Sequence, residues 1–148
     1  FLVRQIVFAA PSEQAAAGCL DVGPASGIDC DPGPVGLWTL QGFLSRRSFD
    51  DVLAEQPEPV AMFNEGQKLV LALSTDLRDD LAGMRGWRAA RVARRWSKTD
   101  EVRAERLRST QVKQLTRDLS LLARTAKKDN EQIYLWVDVS ERALFPSA

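Results

Sequence analysis

The chain contains no histidine. That absence removes the side chain most used for acid–base work near neutral pH, and with it the Ser-His-Asp triad, the Cys-His dyad and every imidazole-dependent metal site. Only two cysteines are present, Cys19 and Cys30, too few for a closed site of four thiolates. Net charge is absent as well: Lys+Arg 20 against Asp+Glu 20 leave no global field to draw the chain to nucleic acid or to an anionic membrane. An electrostatic role must therefore come from a local patch. No apolar run approaches the roughly 20 residues of a membrane span, so no membrane association is expected. The Gly-Lys-Ser/Thr ending of a P-loop and the spacing of a dinucleotide fingerprint are both missing, and nothing calls for a cofactor.

What is there fits an ordinary globular protein. A chain of 148 residues, 45% hydrophobic and 27% charged, reads as one α+β domain over 1–148 that needs neither metal nor disulfide to fold. The opening Phe1-Leu-Val-Arg-Gln-Ile-Val-Phe-Ala-Ala10 has some character of a signal-peptide tail, but Arg4-Gln5 interrupts its apolar run and Val3, Ile6, Val7 and Phe8 suit a strand better. Two cysteines and no Asn-x-Ser/Thr sequon point to a cytoplasmic setting.

Residues 11–36 form a long Gly/Pro-rich loop in this reading, and Leu37-Trp-Thr-Leu-Gln-Gly-Phe-Leu44 reads as a second strand. Ser48 caps a short helix carrying Phe49, Val52 and Leu53, which Pro57 and Pro59 end. Two apolar runs around Asn64-Glu-Gly-Gln67 predict a hairpin, and Ser74 or Thr75 caps the helix of Leu77 and Leu81. A capping-box pattern at Ser97-Lys-Thr-Asp100 opens a long helix running to about Lys128, striped by Val112, Leu115, Leu119, Leu122 and Ala126. Traced backwards, the stripe lands on Arg108, Glu105 and Glu101, so the helix either breaks near Ser109-Thr110 or projects as a charged arm. Ile133 to Val139 reads as a final, central strand. The expected class is α+β: an open mixed sheet with helices packed on one face. Should 85–96 be a strand, residues 37–96 would have the βαββαβ order of a ferredoxin-like unit.

Two stretches stand out as candidate sites. Residues 18–36 hold both cysteines and Asp21, Asp29 and Asp31, offering carboxylates for binding or acid–base chemistry, a mixed metal site, or a Cys19–Cys30 disulfide. Their simplest role is a surface connection, and replacing both cysteines with serine is expected to leave folding nearly unaffected. Residues 85–98 carry six basic residues and no acidic one, with Trp87 and Trp96 interleaved. As a helix they put Ala89, Val92, Ala93 and Trp96 on one face and Arg88, Arg91, Arg94, Arg95 and Lys98 across another; as a strand they put arginines on both. Either the tryptophans are core and the arginines pair with neighbouring carboxylates, or guanidinium groups meet phosphates and tryptophan stacks on bases.

Three functional readings follow. The first is a small non-enzymatic, regulatory or inhibitor-like module that binds a protein partner. The second is a nucleic-acid-binding module using 85–98. The third is an enzyme built on the aspartates of 18–36.

Overall fold

The computed structural model describes residues 3–139. Five strands, β1 (Arg4–Ala10), β2 (Ile28–Asp29), β3 (Ala61–Phe63), β4 (Lys68–Ala72) and β5 (Gln132–Asp138), form one open sheet in the order β2-β1-β5-β4-β3. β5 is central, as its apolar character on both faces predicts. Every strand pair is antiparallel, so the sheet is not mixed. The α+β class holds, with an open sheet.

Alternation along the strands divides the core in two. Val7, Leu69, Leu71, Ile133, Leu135 and Val137 point to one face, where they meet α2 (Gly33–Ser45), α4 (Thr75–Gly83), α5 (Gly86–Ser97) and α7 (Ser109–Lys128). Phe8, Ala10, Val70, Tyr134 and Trp136 point to the other, covered by α1 (Glu13–Ala17) and the turn after it. The helices are thus not confined to one face, although the larger core lies on one.

The long loop expected over 11–36 is a cover with structure of its own. Ser12 caps α1 by accepting from the Ala15 N–H, and the following turn lays Cys19 and Leu20 on the sheet. Trp136 donates its indole N–H to the Leu20 carbonyl at 2.8 Å, and the Arg4 guanidinium lies 5.2 Å from its ring centroid. Gly23, at φ +88, passes so close that a Cβ there would lie 3.1 Å from the Trp136 ring. The glycine permits this approach because it has neither a side chain nor a penalty for positive φ.

Leu37–Leu44 is helix, not strand. Pro34 near its start has its φ preset for a first turn, and Gly33, Leu37, Leu40, Gln41 and Leu44 recur at steps of three and four on the buried side. The stretch reads as a strand because α2 is apolar on several sides: it packs between α3 (Phe49–Ala54), α4, α5 and α6 (Asp100–Ala104). With 85–98 also helical, residues 37–96 contain only two strands and no ferredoxin-like unit.

The helix expected from Ser97 to Lys128 is two. Thr99, not Ser97, is the N-cap of α6, and the chain turns at Arg106, φ 55, before α7 restarts at Ser109. Arg108 donates its backbone N–H to Gln111 Oε1 at 2.7 Å, satisfying an amide at the new start. The apolar stripe ends where the helix does, so the charged residues 101–108 belong to a separate short element and not to a projecting arm.

Cys19 and Cys30 are free and serve opposite faces of the sheet, which excludes a bond between them. Cys30 is fully buried; burial pushes its thiol up to about 12, against the opposing effect of a hydrogen bond from the Gly33 backbone. Serine at position 30 therefore places a hydroxyl in the core, and the double replacement is expected to cost about 1–2 kcal/mol, most of it at that residue. This revises the expectation of near-neutrality. A thiol reagent should label Cys19 in the native protein and Cys30 only on unfolding. Because the folded thiol titrates above the unfolded one, its protonated form contributes stability that is lost as pH rises from about 9 towards about 12. Denaturation curves at increasing alkaline pH, compared with those of Cys30→Ala, measure that contribution.

Candidate functional site: an arginine-lined cleft

Alanine and arginine favour helix, and α5 buries Ala93 and Trp96 with Ala89 and Val92 half-covered beside them. That leaves Trp87, Arg88, Arg91, Arg94, Arg95 and Lys98 in solvent. The two tryptophans separate completely. Trp96 is 0% exposed and donates its indole N–H to the Gly36 carbonyl of α2 at 2.9 Å, whereas Trp87 is 75% exposed.

Beside α5 runs the C-terminal half of α2, ending in Arg46 and Arg47. Between the two helices lie adjoining pockets of about 320 Å³ and 580 Å³. Trp87, Arg88 and Arg91 line the smaller, and Arg47, Ser48 and Phe49 the larger. Phe43, Arg46 and Arg95 line both. The Arg95 guanidinium sits 4.3 Å from the Phe43 ring centroid, which fixes the cation at the wall between them.

The arginines are not neutralised. Among the described residues the ion pairs are Arg47–Glu55 at 2.5 Å, Arg78–Asp79 at 2.9 Å and Lys127–Asp79 at 3.8 Å. Arg46, Arg88, Arg91, Arg94 and Arg95 take part in none of them. Arg88 acts at longer range on Asp80, whose carboxyl is raised by burial first and by Asp76 next, with Arg88 pulling it back down. Both halves of the bland reading, core tryptophans and paired arginines, fail at Trp87 and at this set.

Arg94 and Lys98 line neither pocket and lie further round α5. In their place the cleft recruits Phe43, Arg46, Arg47 and Phe49. Sequence reasoning missed these because they arrive through α2 and α3, some 40 positions away. The available signal was the Arg46-Arg47 pair at the end of an apolar run, hidden while that run was read as a strand.

The three aspartates of 18–36 do not meet at one site: Asp29 and Asp31 share a depression and Asp21 lies apart. Asp21 lies on the turn over the second sheet face, where its backbone carbonyl accepts from Lys68 Nζ at 2.7 Å. Asp29 and Asp31 line a different depression of about 400 Å³, with Asp118 and the aliphatic Ile28, Leu107 and Leu115. Gln114 donates to Asp118 at 2.8 Å. Among the described residues no group of three or more His, Cys, Asp or Glu is placed to hold a metal ion. Nor is any helix there long and apolar enough to cross a membrane.

In comparisons with known proteins the chain matches no family model, no curated protein and no solved structure.

Proposed function

We propose that the protein is a binding module that holds a single-stranded nucleic acid in the cleft between α2 and α5. The observation that carries this reading is the set of guanidinium groups outside every ion pair among the described residues, Arg46, Arg88, Arg91 and Arg95, gathered around exposed Trp87 and half-buried Phe43. A cationic groove tracks a phosphate backbone, and an aromatic face accepts any base. Concave pockets favour a single strand, because duplex bases are already stacked and offer no free face.

The test is titration of the unmodified protein with a single-stranded octanucleotide at several salt concentrations. Binding should quench the accessible emission of Trp87, leave that of buried Trp96 and Trp136 in place, and weaken steeply with salt. An acidic protein captured in the cleft while the octamer fails to bind would transfer the site to a protein partner.

The regulatory, protein-binding reading has a separate support at the sheet edge, where β3 leaves Met62 and Phe63 about half exposed. An exposed apolar edge strand is a template for pairing with another chain. It ranks second because β3 has only three residues and lies among Pro57, Glu58, Pro59 and Glu65, the features with which proteins blunt such edges.

A further inference from the structure

The cleft comprises two depressions that share Phe43, Arg46 and Arg95 in their linings, and the shared residues have a chemical meaning. Arg95, held on Phe43, stands with Arg46 at the wall common to both pockets. Trp87 lines only the smaller pocket and Phe49 only the larger. We infer that this is a dinucleotide site: one phosphodiester held at the Arg46–Arg95 wall, with its two bases directed apart, one onto Trp87 and the other onto Phe49. This deepens the reading above and rests on it.

Stacking on Phe43 occupies one face of the Arg95 guanidinium and leaves its in-plane N–H donors free for phosphate oxygens. Arg46 is the more telling residue. It is the C-cap of α2 at φ 58, a left-handed conformation that favours glycine, and its side chain is exposed and outside every ion pair among the described residues. A cation at a helix C-terminus does interact favourably with the helix dipole. A glycine would end this helix with less strain, and the arginine that stands there instead places its side chain in the lining of both pockets. The two pockets, about 320 Å³ and 580 Å³, each have room for a base, and the wall between them carries the charge a bridging phosphate requires.

The shared chemistry, two bases joined through one phosphate, comes either as a step within a longer strand or as a free dinucleotide. The probes are adenosine 5′-monophosphate, the dinucleotide d(pApA) and the single-stranded octamer dA8, titrated at low salt. On the unmodified protein d(pApA) should bind roughly tenfold or more tighter than the mononucleotide, an increment that combines one added stacked base with one added phosphate charge. Phe49→Leu should remove the base's share of that increment and narrow the gap between d(pApA) and the mononucleotide, and Trp87→Leu should weaken d(pApA) as well. Arg46→Gly should weaken d(pApA) roughly tenfold while the melting temperature stays the same or rises, which a purely structural arginine would not allow.

If dA8 binds but d(pApA) gains nothing over the mononucleotide, or Phe49→Leu has no effect, the cleft takes one nucleotide and the dinucleotide inference falls while the nucleic-acid reading stands. Binding of d(pApA) without binding of dA8 supports the inference and assigns the site to a free dinucleotide in place of a strand. Failure of all three probes overturns both.

Discussion

Replacing Arg88, Arg91 and Arg95 together with glutamine is expected to weaken binding of a single-stranded octamer roughly a hundredfold at low salt, with no loss of fold. Each substitution removes one charge-assisted contact of about 1 kcal/mol or more, and a hundredfold corresponds to roughly 2.7 kcal/mol. The salt dependence gives a sharper measure. For single strands each neutralised phosphate contributes about 0.7 to the slope of log K against log salt, so three lost contacts reduce it by about 2. Helical structure should persist, because all three side chains are exposed and none takes part in an ion pair among the described residues. The folded state loses the stacking of Arg95 on Phe43, a contribution of about 0.5–1 kcal/mol at an exposed site, and the longer-range attraction of Arg88 for Asp80.

The triple variant also has a pH signature. The Asp80 carboxyl is already raised from its ordinary value, by burial first and by Asp76 next, while Arg88 opposes the shift. A carboxyl raised in the folded state favours folding at pH below its unfolded value and loses that contribution as pH rises through its folded value. Removing the Arg88 charge raises Asp80 further, so the variant should lose more stability between acid and neutral pH than the parent. Thermal melts across that range measure this independently of any ligand. An unchanged salt slope, with octamer binding intact, would remove these arginines from the interface.

Local punctuation was legible in the sequence wherever one residue type had one physical use. Ser48 and Ser74 cap their helices through side-chain oxygens, accepting from the Asp51 and Leu77 N–H groups at 3.1 Å and 3.0 Å. Asn64, Glu65 and Gly66 take the positive φ values that a tight hairpin demands. Asn130, at φ 58, closes α7 in the left-handed conformation. What stayed hidden depended on partners distant in the chain. Whether Leu37–Leu44 forms strand or helix is decided by burial against four helices, and a half-buried apolar run satisfies both patterns. Helical spacing puts Trp96, and not Trp87, on the face of Ala89, Val92 and Ala93; what the sequence hid is the anchor, the Gly36 carbonyl 60 positions from Trp96. The cleft was half legible: the α5 side through its charge density, the α2 side not at all.

Trp96→Phe is expected to destabilise the protein by about 1–3 kcal/mol and, in addition, to weaken ligand binding in the cleft. Phenylalanine fills most of the volume, so the principal loss is the indole N–H bond to the Gly36 carbonyl and the tie it makes between the two helices. Trp96→Ala opens a cavity as well and should cost about 3–5 kcal/mol, a large share of the roughly 5–15 kcal/mol by which domains are stable. The effect on binding has a geometric origin. The hydrogen bond at 2.9 Å ties α5 to α2, and these two helices are the walls that hold Arg88, Arg91 and Arg95 opposite Phe43 and Arg46. Trp136 supplies the control: it is equally buried and also donates to a backbone carbonyl, that of Leu20 at 2.8 Å, but on the opposite face of the sheet. Trp136→Phe should therefore lower the melting temperature by a comparable amount, several degrees for a chain of this size, and leave binding in the cleft unchanged. Equal losses of binding in the two variants would mean that affinity follows global stability. A loss confined to Trp96→Phe would mean that the spacing of α2 and α5 is what the ligand reads.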